Sequence, residues 1–250
     1  MSESSGLSVV VLAGGISHER DVSLRSGRRV ADALTQAGHR VELRDPDAGL
    51  LPYLAERRPD AVFPALHGSS GEDGSLLELL AALGVPTVGS TGAAARRAWS
   101  KPVASSLAAQ AGIAVPRSIV LSHEAFRELG AASVLRVVRE ALEGDLVVKP
   151  ASGGSAQGVS IVEDPTELPR AMVDAFTYDD VAVVERRIVG TELAIAIVET
   201  DGAPRALTAV EIVPSTGRYS FQERYNAGET TFFAPSRLDD ATVGRVTEAA

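Results

Sequence analysis

Residues 149–160 read Lys149-Pro150-Ala151-Ser152-Gly153-Gly154-Ser155-Ala156-Gln157-Gly158-Val159-Ser160. The apolar triplet Leu146-Val147-Val148 precedes this run and a second apolar segment opens at Val159, so the pattern is strand, glycine-rich loop, strand. Glycine lets a backbone approach a ligand closely, and successive N–H groups in such a turn form a concavity suited to anions. Lys149 adds a positive charge beside it. In a P-loop or a dinucleotide fingerprint the glycine loop leads into a helix. Here it returns as a strand, so an anion is expected under a hairpin flap. The plain alternative is a flexible Gly/Ser surface loop.

Upstream, Ser8 to Ala13 reads as a buried parallel strand ending in Gly14-Gly15, and Ser23 to Ala37 as a helix stopped by Gly38. Arg40 to Arg44 alternates as a second strand, and Ala61 to Leu66 is a third, interrupted by Pro64. Ser75 to Leu83 is an amphipathic helix closed by Gly84. Strands and helices alternating at this spacing imply a doubly wound α/β domain. Its ligands are expected beyond the carboxyl ends of the strands, where Gly14-Gly15 and His67-Gly68 fall.

After Gly92 the texture changes. A helix from Lys101 to Ala111 leads to a short strand, Ser118 to Leu121, and then to more helix up to Leu142. The two strands around the glycine loop follow, with a helix near Glu167 to Phe176. From Val181 the chain is strand-rich, with expected strands at Val181 to Ile188, Glu192 to Val198 and Arg205 to Val213. Asp239 reads as the N-cap of a last helix through Val243, Val246 and Ala250, which reads as cut in mid-element.

Composition narrows the function classes. Of the 250 residues, 45% are hydrophobic and 23% charged, as in a globular chain, and there is no cysteine for a disulfide or thiolate metal site. A net charge of −9 disfavours nucleic acid and anionic membranes as partners. No apolar run approaches the roughly 20 residues of a membrane span. Residues 1–6 lack the pattern of a signal peptide. A soluble, cytoplasmic protein is expected.

Three further clusters carry chemistry. Glu19, Asp21 and Ser23 crowd acceptors toward a helix N-terminus. They either cap that helix or hold a substrate ammonium. His67-Gly68-Ser69-Ser70-Gly71-Glu72-Asp73-Gly74 is a tight polar loop at a strand exit, with one histidine and no His-x-x-x-His metal spacing. Glu185 and Glu192 bracket Gly190. They fit either an exocyclic amine and a ribose diol or a solvated hairpin.

Taken in order, Ala13-Gly14-Gly15-Ile16-Ser17-His18-Glu19-Arg20-Asp21-Val22-Ser23-Leu24, the His67-Gly68 and Gly71-Glu72-Asp73-Gly74 loop, the Lys149-Pro150 loop, Val184-Glu185 with Gly190-Thr191-Glu192, and Arg224-Tyr225 with Thr230 and Pro235 resemble the D-alanine–D-alanine ligases. These are ATP-grasp ligases, and the resemblance spans essentially the whole chain. It implies a Rossmann-like N-terminal substrate-binding domain (1–98), a central ATP-grasp domain with the glycine flap (99–184) and a C-terminal ATP-grasp domain (185–250), the last incomplete. The implied activity is ATP-dependent joining of two D-alanines through an acyl phosphate. Another ATP-grasp carboxylate–amine ligase is an alternative, as is a non-enzymatic nucleotide-binding module.

By the same resemblance Glu19 anchors the first substrate's ammonium in a network with Ser155 and Tyr225, and His67 neighbours the reacting carboxylate. Lys101 and Lys149 neutralise ATP phosphates, covered by loop amides from Gly154 through Ser155 to Ala156. Glu185, Arg186 and Ile188 meet adenine, and Glu192 meets ribose. Tyr225 marks the amide-forming kind rather than the ester-forming one. Arg224 stands where the family usually has a phosphate-binding lysine, and Ala156 where it often has serine. The family also implies Mg²⁺, with expected ligands beyond Ala250, and a homodimer.

Overall fold

The computed structural model describes residues 6–200 and 202–250. They gather into two compact units. One runs to Ala104 and includes Ser152–Gly154; the other takes Ser105–Ala151 and Ser155–Ala250. Among the described residues no helix is long and apolar enough to cross a membrane.

The first unit contains β1 (Ser8–Leu12), α1 (Arg20–Gln36), β2 (Arg40–Arg44), α2 (Leu50–Arg57), β3 (Ala61–Pro64), the single turn α3 (Ser69–Glu72), α4 (Ser75–Ala82), α5 (Gly92–Trp99) and the start of α6 (Lys101–Gln110). Its sheet is parallel in the order β2-β1-β3. The central strand β1 is apolar on both faces because both are covered. Val10 and Leu12 pack with Leu50, Leu54 and Leu80, while Val9 and Val11 pack toward Val30, Ala31 and Leu34 of α1. Since β2 and β3 flank β1 on opposite sides, the winding reverses between β1 and β3. The crevice beyond their carboxyl ends is the switch point where ligands bind in such sheets. Gly14-Gly15 leaves β1 there, and His67-Gly68 leaves β3.

Close approach of α1 to that strand end depends on Gly27, where an added Cβ would stand 2.3 Å from the Ala13 Cβ. Gly27→Ala is therefore expected to destabilise the unit by about 1–3 kcal/mol through overpacking, although alanine is the better helix former. A melting temperature equal to or above that of the parent would contradict this packing.

In the second unit β4 (Ser118–Ser122), α7 (His123–Glu128), α8 (Ala131–Leu142), β5 (Leu146–Pro150), β6 (Ser160–Val162), α9 (Leu168–Phe176) and β7 (Val181–Arg186) form an antiparallel sheet, ordered β4-β7-β5-β6, with its helices. One sheet face carries the core: Leu146, Val148, Val162, Ala182 and Val184 against Phe126, Val138, Leu142, Leu168 and Met172. Residues alternating with these, Lys149 and Glu185 among them, point to the other face. The chain continues as β8 (Glu192–Ala194), β9 (Ile197–Thr200), β10 (Ala203–Ala206), β11 (Val210–Pro214), α10 (Phe221–Tyr225), β12 (Thr230–Phe233) and α11 (Asp240–Ala249). Here β12, β11 and β8 make one small sheet, and β10 and β9 another.

Several expected boundaries are corrected. Helix α1 starts at Arg20, not Ser23, with Glu19 as its N-cap residue. The third strand ends at Pro64, whose ring removes a ladder donor. Segments expected as single strands, 192–198 and 205–213, each split in two, their halves pairing in different sheets. The glycine hairpin stands as expected, and Asp239 caps the last helix by accepting the Thr242 N–H at 2.9 Å.

Beyond β12, Arg237 folds back on Glu211 of β11. Its main-chain N–H (3.0 Å), Nε (3.0 Å) and Nη2 (2.6 Å) all donate to the Glu211 carboxylate. These side-chain bonds, and next the main-chain bond, hold the Glu211 carboxyl down at about 2 against an ordinary 4.5. A depressed carboxyl stabilises the fold above its ordinary pKa, and that contribution disappears as pH falls from about 4.5 toward 2. Glu211→Gln should accordingly flatten the loss of melting temperature across this window. An unchanged acid limb would show that the pair does not contribute to acid stability.

Candidate active site

In the first unit the loop after β1 is fixed from three sides. The Gly14 N–H donates to Ser23 Oγ at 2.9 Å, and the fully buried Ser23 donates in turn to the Ala65 carbonyl at 2.8 Å. The Gly15 N–H donates to Asp45 at 2.8 Å, and Arg20 donates to the Gly15 carbonyl at 2.7 Å while pairing with Asp45 at 2.5 Å. The Arg20 guanidinium holds the Asp45 carboxyl below its usual range. Ser23 is thus a tie between β1 and β3, not a helix cap.

Glu19 is 4% exposed. It occupies the N-cap position of α1, yet its side chain makes no capping hydrogen bond, so capping does not account for its burial. Its main-chain N–H donates to Ser17 Oγ at 3.2 Å, and that hydroxyl donates to the His67 carbonyl at 2.7 Å. One carboxylate oxygen lies 3.1 Å from where a Cβ on Gly68 would stand, the other 3.3 Å from a Cβ on Gly154. Gly68 has φ +70°, a conformation costly for other residues, so glycine is required there twice over.

The second loop is tied by Glu72, which accepts the Gly68 N–H at 2.9 Å. Although water still reaches it, Glu72 is held above the ordinary carboxyl range by partial desolvation and, second, by the charge of Glu19. His67 lies against Ser26 of α1, Nε2 to Oγ at 3.0 Å. Lys101 donates to the carbonyls of Ser152 (2.9 Å) and Gly153 (2.8 Å), so its ammonium shapes the glycine loop directly.

In the second unit Lys149 pairs with Glu185 at 2.5 Å, the two side chains being 23% and 15% exposed. The ladder sets Lys149 opposite Val183 and Val147 opposite Glu185, which makes the pair a diagonal cross-strand contact on the face opposite the helix-packed core. Ser155 and Ala156 at the hairpin tip have φ of +53° and +57°. The Ser155 hydroxyl is 2.6 Å from that of Tyr225 at the end of α10. The Arg224 guanidinium stacks 4.0 Å from the Tyr219 ring centroid. Arg186 at the end of β7, Ile188 after it and Glu192 at the start of β8 are exposed.

Thus Ser155 meets Tyr225 and Lys149 meets Glu185 in the second unit, while Glu19, His67 and Lys101 belong to the first. Of the residues that hold these groups, Ser17 and Glu72 lie within the quoted motifs without an assigned role, whereas Ser26 and Asp45 carry no sequence signal of their own. Among the described residues no group of three or more His, Cys, Asp or Glu side chains is placed to hold a metal ion.

The antiparallel sheet with its glycine hairpin is the ATP-grasp architecture, shared with solved ligases. A D-alanine–D-alanine ligase from Bacillus anthracis superposes with a TM-score of 0.78 at 27% identity, covering 98% of this chain and 76% of that one. The same enzyme complexed with ATP gives 0.75 at 26%, covering 98% and 75%. Residues 107–250 match the family model described as D-ala D-ala ligase C-terminus. Over 256 residues the chain is 40% identical to the D-alanine–D-alanine ligase of Anaeromyxobacter sp. (strain K), an alignment covering 100% of this chain and 78% of that protein. It is 37% identical over 242 residues to that of Bordetella petrii, covering 97% and 72%. The chain belongs to the D-alanine–D-alanine ligase family.

Proposed function

We propose that the chain joins two D-alanines into D-alanyl-D-alanine at the expense of ATP, a step of peptidoglycan precursor synthesis. The observation that carries this is Glu19, a buried carboxylate unused by its own helix and walled by the backbone of Gly68 and Gly154. A buried carboxylate whose oxygens lie beside two glycines, where no side chain crowds them from those positions, suits a small zwitterion, whose ammonium it would neutralise. The carboxylate of that D-alanine attacks the γ-phosphorus of ATP, ADP leaves, and an acyl phosphate forms. The amine of a second D-alanine attacks its carbonyl, loses a proton, and expels inorganic phosphate.

Positioning and charge neutralisation supply most of such a transfer. Lys149 would meet the phosphates, Lys101 would meet them while ordering Ser152 and Gly153, and the amides of 154–156 would cover them. His67, oriented by Ser26, would lie near the reacting carboxylate. Glu185 with Arg186 and Ile188 would receive adenine, and Glu192 the ribose. Arg224 would lie near phosphate with its stack on Tyr219 limiting its reach. The flap would keep water from the acyl phosphate. The protein is further proposed to be a cytoplasmic homodimer, with neither nucleic acid nor membrane as partner, and to divide at residues 98 and 184.

The test is phosphate release from ATP and Mg²⁺, with and without D-alanine, by the full gene product that carries residues 1–250. Release that requires D-alanine, with the dipeptide identified by mass, is expected. ATP turnover indifferent to D-alanine would overturn the assignment.

A further inference from the structure

The segment 215–230, which carries Tyr225, is folded on itself. Glu223 accepts from Thr216 Oγ1 at 2.7 Å and from the Ser220 N–H at 3.2 Å, in a capping box for α10, and also from the Ser220 hydroxyl. Thr230 Oγ1 donates to the Glu223 carbonyl at 2.7 Å. Phe221 and Tyr225 pack at 4.9 Å between ring centroids, and Arg224 lies over Tyr219. Such a preorganised piece moves as one body, so its attachments decide where the Tyr225 phenol lies.

It meets the β5–β6 hairpin at two places. At the tip Tyr225 reaches Ser155 at 2.6 Å. At the far end of β6, Arg218 reaches Glu163 at 3.2 Å. Between these lies a groove of about 590 Å³ lined by Val159, Ile161, Arg170, Arg218, Tyr219 and Ser220. Glu163 is itself secured by Arg187, only 23% exposed, whose main-chain N–H donates to the Asp145 carbonyl at 2.9 Å. Arg187, with Arg218 beyond it, keeps the Glu163 carboxyl below the ordinary range. Neither Glu163 nor Arg218 belongs to a motif of the family resemblance.

We infer that Glu163 is a positioning residue: by holding Arg218 it fixes the register of the Tyr225 segment along β6 and so the contact of Tyr225 with Ser155. An exposed ion pair contributes little to stability, and its work here is placement. Its bearing on the reaction rests on the ligase assignment. Breaking the pair should loosen the D-alanine site without emptying the ATP site.

The experiment compares Arg218→Ala, Glu163→Gln and the conservative Arg218→Lys in the full gene product. Two readouts are taken: amide hydrogen exchange over 215–229, and KM for each substrate. The first two variants should exchange about three-fold faster in that segment. They should raise KM for D-alanine about five-fold and KM for ATP by a smaller factor, since Arg224 shares the segment, and Arg218→Lys should restore most of both. Unchanged exchange would overturn the inference whether or not the protein is a ligase. Faster exchange with parental KM values would overturn the positioning role alone. A parent enzyme without D-alanine-dependent turnover would sink the ligase assignment and the catalytic bearing of Glu163 with it, while exchange still decides whether the pair holds the segment.

Discussion

Glu19→Gln is expected to lower kcat/KM for D-alanine by about two to three orders of magnitude while leaving KM for ATP in place. The amide matches the carboxylate in shape but carries no charge to neutralise an ammonium. What separates this from a structural effect is stability. Glu19 is 4% exposed and does not cap its helix. Glutamine keeps the shape and most of the hydrogen-bonding capacity of the side chain, so the variant should melt within a few degrees of the parent. Loss of activity together with a preserved melting temperature is the signature of a group kept for binding. A variant that melts several degrees lower with unaltered D-alanine kinetics would assign Glu19 to the fold instead.

Lys149→Met should be the second severe lesion, lowering kcat/KM for ATP by about three orders of magnitude, because a cation facing transferred phosphate acts mainly in the transition state. It should also destabilise by about 1–3 kcal/mol, since Glu185 loses its partner while only 15% exposed. The double variant Lys149→Met/Glu185→Gln separates the two effects. Removing the stranded charge should restore the melting temperature, but not turnover. If the double variant recovers activity as well, Lys149 acts only as the counter-ion of Glu185.

How much of this was legible in the sequence follows the range of the interactions. Strands β1 and β2 and the hairpin around the glycine loop are local patterns, and the sequence marks them closely. Helix α2 has no counterpart in the sequence reading, and a proline at its third position gives no helix signal by itself; Pro52 is tolerated since it lies in the first turn. The run Glu192-Leu193-Ala194-Ile195-Ala196-Ile197-Val198 alternates without a break, and only pairing with distant β11 or with β10 decides where it divides. The candidate site behaves alike. Its glycines, Glu19 and Lys149 were visible as types, whereas Ser26 on His67, Asp45 on Gly15 and Lys101 on Ser152 join residues 41, 30 and 51 positions apart.

Ser155 and Ala156, both left-handed at the hairpin tip, bear on how this loop can evolve. Each L-residue there carries a penalty of about 1 kcal/mol that glycine would not. At 155 the hydroxyl facing Tyr225 gives a reason to bear it. At 156 the methyl group offers no such contact, and its effect lies in narrowing the conformations open to the free loop. Drift at 156 therefore has an easy path toward glycine or asparagine and a steep one toward valine, isoleucine or threonine, whose branched Cβ clashes in that conformation. Lineages can adjust the suppleness of the flap at a single codon without replacing any side chain proposed to handle phosphate.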